Sequence, residues 1–423
     1  MNANATVWLP YAQMQTTLPP FEVIKTQDAT LTLKNGDTLI DGIASWWTAC
    51  HGYNHPHIVK AIQEQASLLP HVMMGGLIHP QVKRLAERLA HLLPGTLDYV
   101  FLSESGSVAV EIAMKMALQF WMNHNRPDKH RFICFAGGYH GDTFFTMSVC
   151  DPIDGMHQLF QRVLPTQHCQ PLPTSDALLE TFAKWLQKNA DHCAGVLIEP
   201  LVQGAGGMKM HSPQTLRAIV ELCQQHHVLV IVDEIFTGFA RTGTMFAIEQ
   251  AHIVPDIICL GKALTGGTLP LAATIANQAT YQAFLSEEPG KALMHGTTFM
   301  GNALGCAAAN ASLDLFEYEP RLAQVEAIQA ILHKAFSPLQ DVPGVTAVRV
   351  KGAIGAIELA RALTPLEMNW FKQQCVSDGI WCRPLPNVVY TTPPLTIKSH
   401  ELLSLTEIIV KQVLAWSTLF YHA

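Results

Sequence analysis

Three apolar runs in this chain end in residues able to do chemistry. Residues 228–232 lead into Asp233-Glu234, and residues 257–260 into Gly261-Lys262 with Gly266-Gly267 close behind. Residues 99–102 lead into Ser103-Glu104-Ser105-Gly106-Ser107, at the start of a helical pattern. Backbone N–H groups and the positive dipole end of such a start suit a phosphate. A lysine amine can form an imine with an aldehyde, provided partial desolvation keeps it uncharged. A neighbouring aspartate can keep a ring nitrogen protonated. An imine-forming lysine, a pyridinium partner and a phosphate cup are together what pyridoxal phosphate requires. Singly, each has a plainer role: the serine an N-cap, the aspartate a turn residue, the lysine a solvent-facing charge. Together, with the glycines around Lys262, they favour the cofactor.

These residues must be positioned by the elements that precede them. Short apolar runs at 99–102, 132–135, 195–198, 228–232, 257–260 and 272–276 read as strands. Segments of helical spacing at 108–121, 176–188 and 213–226 lie between several of them. Such alternation predicts βαβ units and a mostly parallel sheet, and continuous apolar strands predict burial on both faces. Ligands of open α/β sheets collect at the carboxyl ends of strands, where these residues lie. The expected organisation is α/β: a large domain over 45–312 with the parallel sheet, then a smaller α+β domain over 313–423. The smaller domain is read from helical patterns at 321–336, 364–377 and 400–416 and strands at 345–350 and 355–359. Residues 1–44, with a strand-like 29–33 and an Asn35-Gly36 turn, are expected to join it.

Composition bounds the function classes. The chain has 423 residues, 49% of them hydrophobic and 14% charged, which allows a large buried core and excludes a disordered protein. Twenty-seven basic residues against 34 acidic ones give a net charge of −7 without a basic run, which argues against nucleic acid or an acidic membrane as partner. No signal-peptide plan is visible at the N-terminus, and no apolar stretch approaches the roughly 18 residues of a membrane span. Ten cysteines without a CxxC pair read as a reduced, cytoplasmic protein. The 20 histidines form neither HExxH nor a Cys/His framework, so no metal is expected.

Longer motifs carry a resemblance. Asp233-Glu234-Ile235-Phe236-Thr237-Gly238-Phe239-Ala240-Arg241-Thr242-Gly243, followed 29 positions after Asp233 by Lys262 in Gly261-Lys262-Ala263-Leu264-Thr265-Gly266-Gly267, resembles the signature of class III pyridoxal-phosphate aminotransferases. The resemblance runs from about residue 8 to 397 and implies the fold-type-I architecture. It implies that Lys262 carries pyridoxal 5'-phosphate and moves the proton, and that Asp233 pairs with the pyridinium nitrogen. It implies that Tyr139 covers one ring face and Ile235 the other, with Gly106 and Ser107 binding the phosphate. Thr298, in His295-Gly296-Thr297-Thr298-Phe299-Met300-Gly301-Asn302, would reach that phosphate from a neighbouring subunit, which makes a homodimer the working unit. Glu199-Pro200 and Gln203-Gly204 match the family's segment beside the cofactor.

Within the family, Ser45-Trp46-Trp47, His51-Gly52-Tyr53-Asn54-His55-Pro56, Gly137-Gly138-Tyr139-His140-Gly141-Asp142-Thr143 and Ser148-Val149-Cys150-Asp151-Pro152 come closest to members of biotin biosynthesis. Those members move an amino group from S-adenosylmethionine to 8-amino-7-oxononanoate. The resemblance then implies that Arg383 anchors the substrate carboxylate and that Tyr11, Trp46, Tyr139, Asp142, Arg241, Gly296 and Tyr390 line the pocket. Ornithine and 4-aminobutyrate aminotransferases place an arginine three residues before a Pro-Pro pair to hold glutamate. Here the pair is Pro393-Pro394 and the residue is Tyr390, which favours S-adenosylmethionine as donor. Thr297 and Ala303 stand where the pattern often has proline. The alternatives are an ω-aminotransferase with another donor, such as lysine, and a non-enzymatic cofactor-binding regulator. The regulator would need a DNA-binding domain for which the N-terminus offers too few residues.

Overall fold

Seven strands form the central sheet, in the spatial order Tyr99–Ser103, Ala272–Ala276, Ile257–Leu260, Leu229–Asp233, Cys193–Ile198, Arg131–Phe135 and His168–Gln170. Only Ala272–Ala276 runs antiparallel to its neighbours. The structure, a computed structural model, describes residues 6–153 and 155–421. The inner strands divide their side chains between two cores. Phe132, Cys134, Leu229, Ile231, Ile257 and Cys259 face the helix Gly106–Asn123, while Ile133, Phe135, Val230, Val232, Ile258 and Leu260 enter the larger core on the other side. That two-sided burial is why these strands read as unbroken apolar runs rather than alternating ones.

Local signals fix the helices that cover the sheet. Ser105, Ser175 and Ser212 each cap a helix start by accepting a backbone N–H two or three residues into it. Pro213 occupies the first turn of its helix, where its missing N–H costs nothing.

The C-terminal part holds a three-stranded antiparallel sheet, Val345–Lys351, Ile354–Leu359 and Val388–Thr391, with the helix Arg321–Phe336 packed on it and the helix Ser399–Trp416 packed in turn on Arg321–Phe336 and Pro365–Ser377. Near the N-terminus, Val23–Gln27, Thr30–Leu33 and Thr38–Asp41 form an antiparallel meander that Ile380–Trp381 extends in parallel, Trp381 lying opposite Asp41. This pairing carries the segment after Asp41 to the segment after Trp381, so Trp46 and Arg383 meet. The helix Ala303–Tyr318 runs unbroken through position 312, and the largest apolar core draws on residues from Ala29 to Trp416.

One expectation is corrected. The closing helix, continued to Tyr421, is long and apolar enough by length and composition to cross a membrane. Its Leu402, Leu405, Ile409, Val413 and Trp416 are instead buried in the core.

Candidate active site

The strand ends converge on one edge of the sheet. Asp233 closes its strand and pairs in register with Cys259 on the neighbouring strand, three residues before Lys262. Gly261 has an extended backbone (φ −173°), and Lys262 then turns left-handed at φ +45°, beginning a short turn that ends at Gly266 (φ +62°). A positive φ at a lysine is an uncommon, strained conformation that only surrounding contacts sustain. Lys262 Nζ lies 4.6 Å from the centre of the Trp47 indole, which packs on Phe236 at 4.3 Å and meets Tyr390 at 6.3 Å. Burial holds the amine below the usual lysine range, against the opposing pull of Asp233, Glu199 and Asp142. The lysine is thus shifted toward its nucleophilic form.

Asp233 is held from two sides. Its Oδ1 accepts from the Ile235 N–H at 3.1 Å, and its Oδ2 lies 2.9 Å from His140 Nδ1. A carboxylate only accepts, so His140 donates from Nδ1. Burial opposes the protonated imidazole, but the Asp233 bond and the charges of Asp233 and Glu199 leave its pKa raised. Glu199, at the end of Cys193–Ile198, accepts from the backbone N–H groups of Tyr139 (3.0 Å) and Gly204 (2.9 Å). Burial, reinforced by Asp233, pushes it to about 7. Glu234 turns the other way: fully buried, it accepts from Thr237 and the Ile248 N–H.

The 18-residue helix Gly106–Asn123 starts at this edge. A Cβ on Gly106 would stand 2.9 Å from the Ile235 side chain, so only glycine lets the helix start come this close. Ser107 Oγ accepts from the Asp142 N–H at 3.0 Å. Thr298 and Gly296 lie exposed on the loop before the helix Ala303–Tyr318, and Thr297 donates to Glu104 in the Ser/Gly turn. Ala303 takes the first position of that helix after the N-cap Asn302, a place where proline and alanine both fit.

Aromatic and charged groups form the mouth. Asp142 accepts from the phenols of Tyr11 and Tyr139 (2.9 Å for Tyr139) and lies 3.2 Å from His157 Nε2. Burial and the Asp142 bond raise the Tyr11 hydroxyl to about 12. The Tyr11 and Trp46 rings meet edge to face at 6.1 Å, and the Arg383 guanidinium stands 4.7 Å over Trp46. Tyr390 is buried beneath Trp47. Arg241 is also buried, donating to the carbonyls of Ala353 (3.3 Å) and Pro393 (2.8 Å) while its Nη2 has no partner. The structure therefore gathers Tyr11, Trp46, Tyr139, Asp142 and Arg383 at the opening and sets Arg241 and Tyr390 deeper.

A turn of four consecutive left-handed residues, Ala44 to Trp47 (φ 46° to 73°), presents the two tryptophans to different partners. Buried Asp41 braces it: Oδ1 accepts from the Ile43 N–H (2.9 Å), Oδ2 from the Ser45 N–H (2.8 Å), and Tyr53 donates to the same carboxylate.

The donor set fits pyridoxal phosphate. A depressed lysine amine, a buried carboxylate already bonded to histidine, and a long helix start lined by glycine and serine share one sheet edge. The class III aminotransferase family pattern matches residues 11–413. The chain belongs to the class III aminotransferases. As a member of that family it is a pyridoxal-phosphate-dependent enzyme of fold type I. It is 43% identical over 410 residues to an adenosylmethionine-8-amino-7-oxononanoate aminotransferase of Buchnera aphidicola, covering 95% of each chain. The crystal structure of the enzyme so named from Methanocaldococcus jannaschii superimposes with a TM-score of 0.92 at 31% identity, covering 97% of each chain. An amine transaminase from an uncultivated Pseudomonas species, solved in its pyridoxal-phosphate-bound form, gives 0.88 at 28% identity over 99% of each.

His140, Trp47, His157 and Asp41 belong to this class III site although residue type and spacing do not mark them for it. The first two sit inside motifs that point to their neighbours Tyr139 and Trp46. Asp41 carried no signal, because its importance lies in a backbone conformation that composition does not reveal.

Proposed function

We propose that this aminotransferase transfers an amino group from S-adenosylmethionine to 8-amino-7-oxononanoate, giving 7,8-diaminononanoate. The observation that carries the reading is the mouth: a guanidinium over an indole, beside a carboxylate held by two phenols. Arg383 can grip the terminal carboxylate of the keto acid in bidentate fashion, while Trp46 and Tyr11 cover its apolar chain. Asp142 offers negative charge to the cationic amine or sulfonium of the donor. Tyr390, occupying the place of the glutamate-binding arginine, leaves a glutamate donor without that anchor.

Bound pyridoxal phosphate supplies an aldehyde that takes up amines and a ring that accepts the electron pair of a breaking C–H bond. Lys262 would hold the cofactor through its amine and, once freed, carry the proton between carbon atoms. Asp233, oriented by His140, would keep the ring nitrogen protonated. Tyr139 and Ile235 are assigned the two ring faces, Gly106 and Ser107 the phosphate. Trp47 shields the lysine from bulk water, which keeps its proton transfer local. Both substrates would use one cleft in turn, so the kinetics should be ping-pong.

The working unit in this reading is a homodimer, with Thr298 serving the partner's phosphate. Support comes from exposed apolar side chains near that loop and before it, among them Met73, Leu77, Ile78, Met294 and Phe299. The cytoplasm is the proposed compartment, and it suits ten cysteines that are all free thiols. Turnover of 8-amino-7-oxononanoate with S-adenosylmethionine and with lysine tests the assignment. Product with S-adenosylmethionine is expected, and product with lysine alone would replace the donor.

A further inference from the structure

A chain of buried polar groups leads from the C-terminal helices to the turn that carries Lys262. Arg321, 1% exposed, ion pairs with Glu319 at 2.8 Å and donates from Nη1 to Gln324. Its Nε donates to His51 Nδ1 at 2.9 Å. A guanidinium never accepts, so His51 Nδ1 must be the bare nitrogen of a neutral imidazole and Nε2 must carry the proton. His51 Nε2 lies 3.0 Å from Ser312 Oγ, which fixes the serine as acceptor there. Its own hydroxyl proton is then free for the Ala263 carbonyl at 3.4 Å, the longest link. That carbonyl belongs to the residue after Lys262, and it also closes the turn by accepting from the Gly266 N–H at 2.9 Å. His51 touches the turn a second time, since a Cβ on Gly266 would stand 3.4 Å from its ring. The ring is otherwise enclosed by Phe316 at 4.6 Å and His55 at 6.4 Å. Burial, with Arg321 and His55 nearby, keeps its pKa well below the ordinary value, consistent with the neutral tautomer the donors require.

We propose that His51 is a positioning residue for the reaction, holding the left-handed Lys262 turn through Ser312 and the Ala263 carbonyl. The purpose of the relay is directional. A turn with a lysine at φ +45° needs outside support, and the Ala263 carbonyl receives it from the Ser312 hydroxyl at the end of the relay, with Cys50 Sγ at 3.6 Å as a second side-chain donor. It differs from packing alone because the last donor acts on the backbone of the residue that follows the lysine. The inference rests on Lys262 being the cofactor-bearing lysine.

Two near-isosteric replacements separate the links. In His51→Gln the side-chain amide can occupy the Nε2 position and still donate to Ser312, while the Arg321 bond is lost. In His51→Asn the amide oxygen can occupy the Nδ1 position and still accept from Arg321, while the Ser312 bond is lost. Ser312→Ala removes the final donor together with the acceptor of the His51 Nε2 proton, leaving Cys50 Sγ, 3.6 Å away, as the remaining side-chain donor to the Ala263 carbonyl. With holoenzyme, kcat and KM for both substrates are measured alongside borohydride labelling of the lysine. One lost hydrogen bond at the turn is expected to lower kcat roughly tenfold in Ser312→Ala and His51→Asn, with KM unchanged. His51→Gln should retain most of the wild-type kcat. If His51→Asn outperforms His51→Gln, His51 serves only to satisfy Arg321 and the proposal fails. Wild-type kcat in Ser312→Ala overturns it whatever the His51 variants do. Absence of label on Lys262 in the wild-type enzyme would indict the lysine assignment instead, so the two failures are distinguishable.

Discussion

Asp41→Asn should loosen the aromatic wall of the active site without removing a residue that touches substrate. The left-handed conformation costs an L-residue roughly 1–2 kcal/mol, so the four residues Ala44 to Trp47 together hold about 4–8 kcal/mol of strain. Asp41 opposes it with two accepted backbone N–H bonds and the Tyr53 phenol, all on one buried carboxylate. Asparagine has the same shape but a single acceptor oxygen, and its NH2 would face either the Ile43 or the Ser45 N–H. Losing one charge-assisted bond and stranding one buried donor removes about 2–5 kcal/mol of support. At about 1.4 kcal/mol per factor of ten, that shifts the turn toward relaxed conformers by roughly 30-fold or more. Trp46 would leave Arg383, and Trp47 would leave the Lys262 amine. The assay is steady-state kinetics for both substrates with tryptophan fluorescence and cofactor content. KM should rise for both substrates, the emission should shift, and cofactor content should stay near stoichiometric. Wild-type KM values in a variant of normal fluorescence would mean that Asp41 does not hold the turn.

Other consequences can be checked alongside. Arg383→Lys keeps the charge but not the planar fork, so KM for the keto acid should rise about tenfold to a hundredfold while the half-reaction with the donor is unchanged. Equal slowing of the donor half-reaction would count against the carboxylate anchor. Glu199 has its folded pKa raised to about 7 from 4.5, so it favours folding at low pH and that contribution is lost as pH rises from 4.5 through 7. The window is worth roughly 3 kcal/mol for this fully enclosed group. Cofactor-free Glu199→Gln should therefore gain stability relative to wild type between about pH 5 and about pH 8 by that order, read from denaturant unfolding; a pH-independent difference would mean an ordinary carboxylate.

The sequence carried the strand-helix alternation and the chemistry at the strand ends, because both are local. Apolar runs bounded by Asp233, Lys262 and Ser103 announce a parallel sheet edge on their own. What it did not carry depends on backbone angles or distant partners. Trp46 and Trp47 are indistinguishable as letters, and only the left-handed turn sends one to Arg383 and the other to Lys262. His51 and Ser312 are 261 positions apart, and no spacing rule links them. Arg241 shows the converse: its motif was plain, yet burial under Ala353 and Pro393 was not.

The most direct test of the account is to reduce the pyridoxal-phosphate-loaded enzyme with borohydride and map the pyridoxyl label by peptide mass spectrometry. One label per chain is expected, on the peptide containing Lys262, and none in Lys262→Ala. A label on another lysine, or turnover surviving in Lys262→Ala, would contradict it.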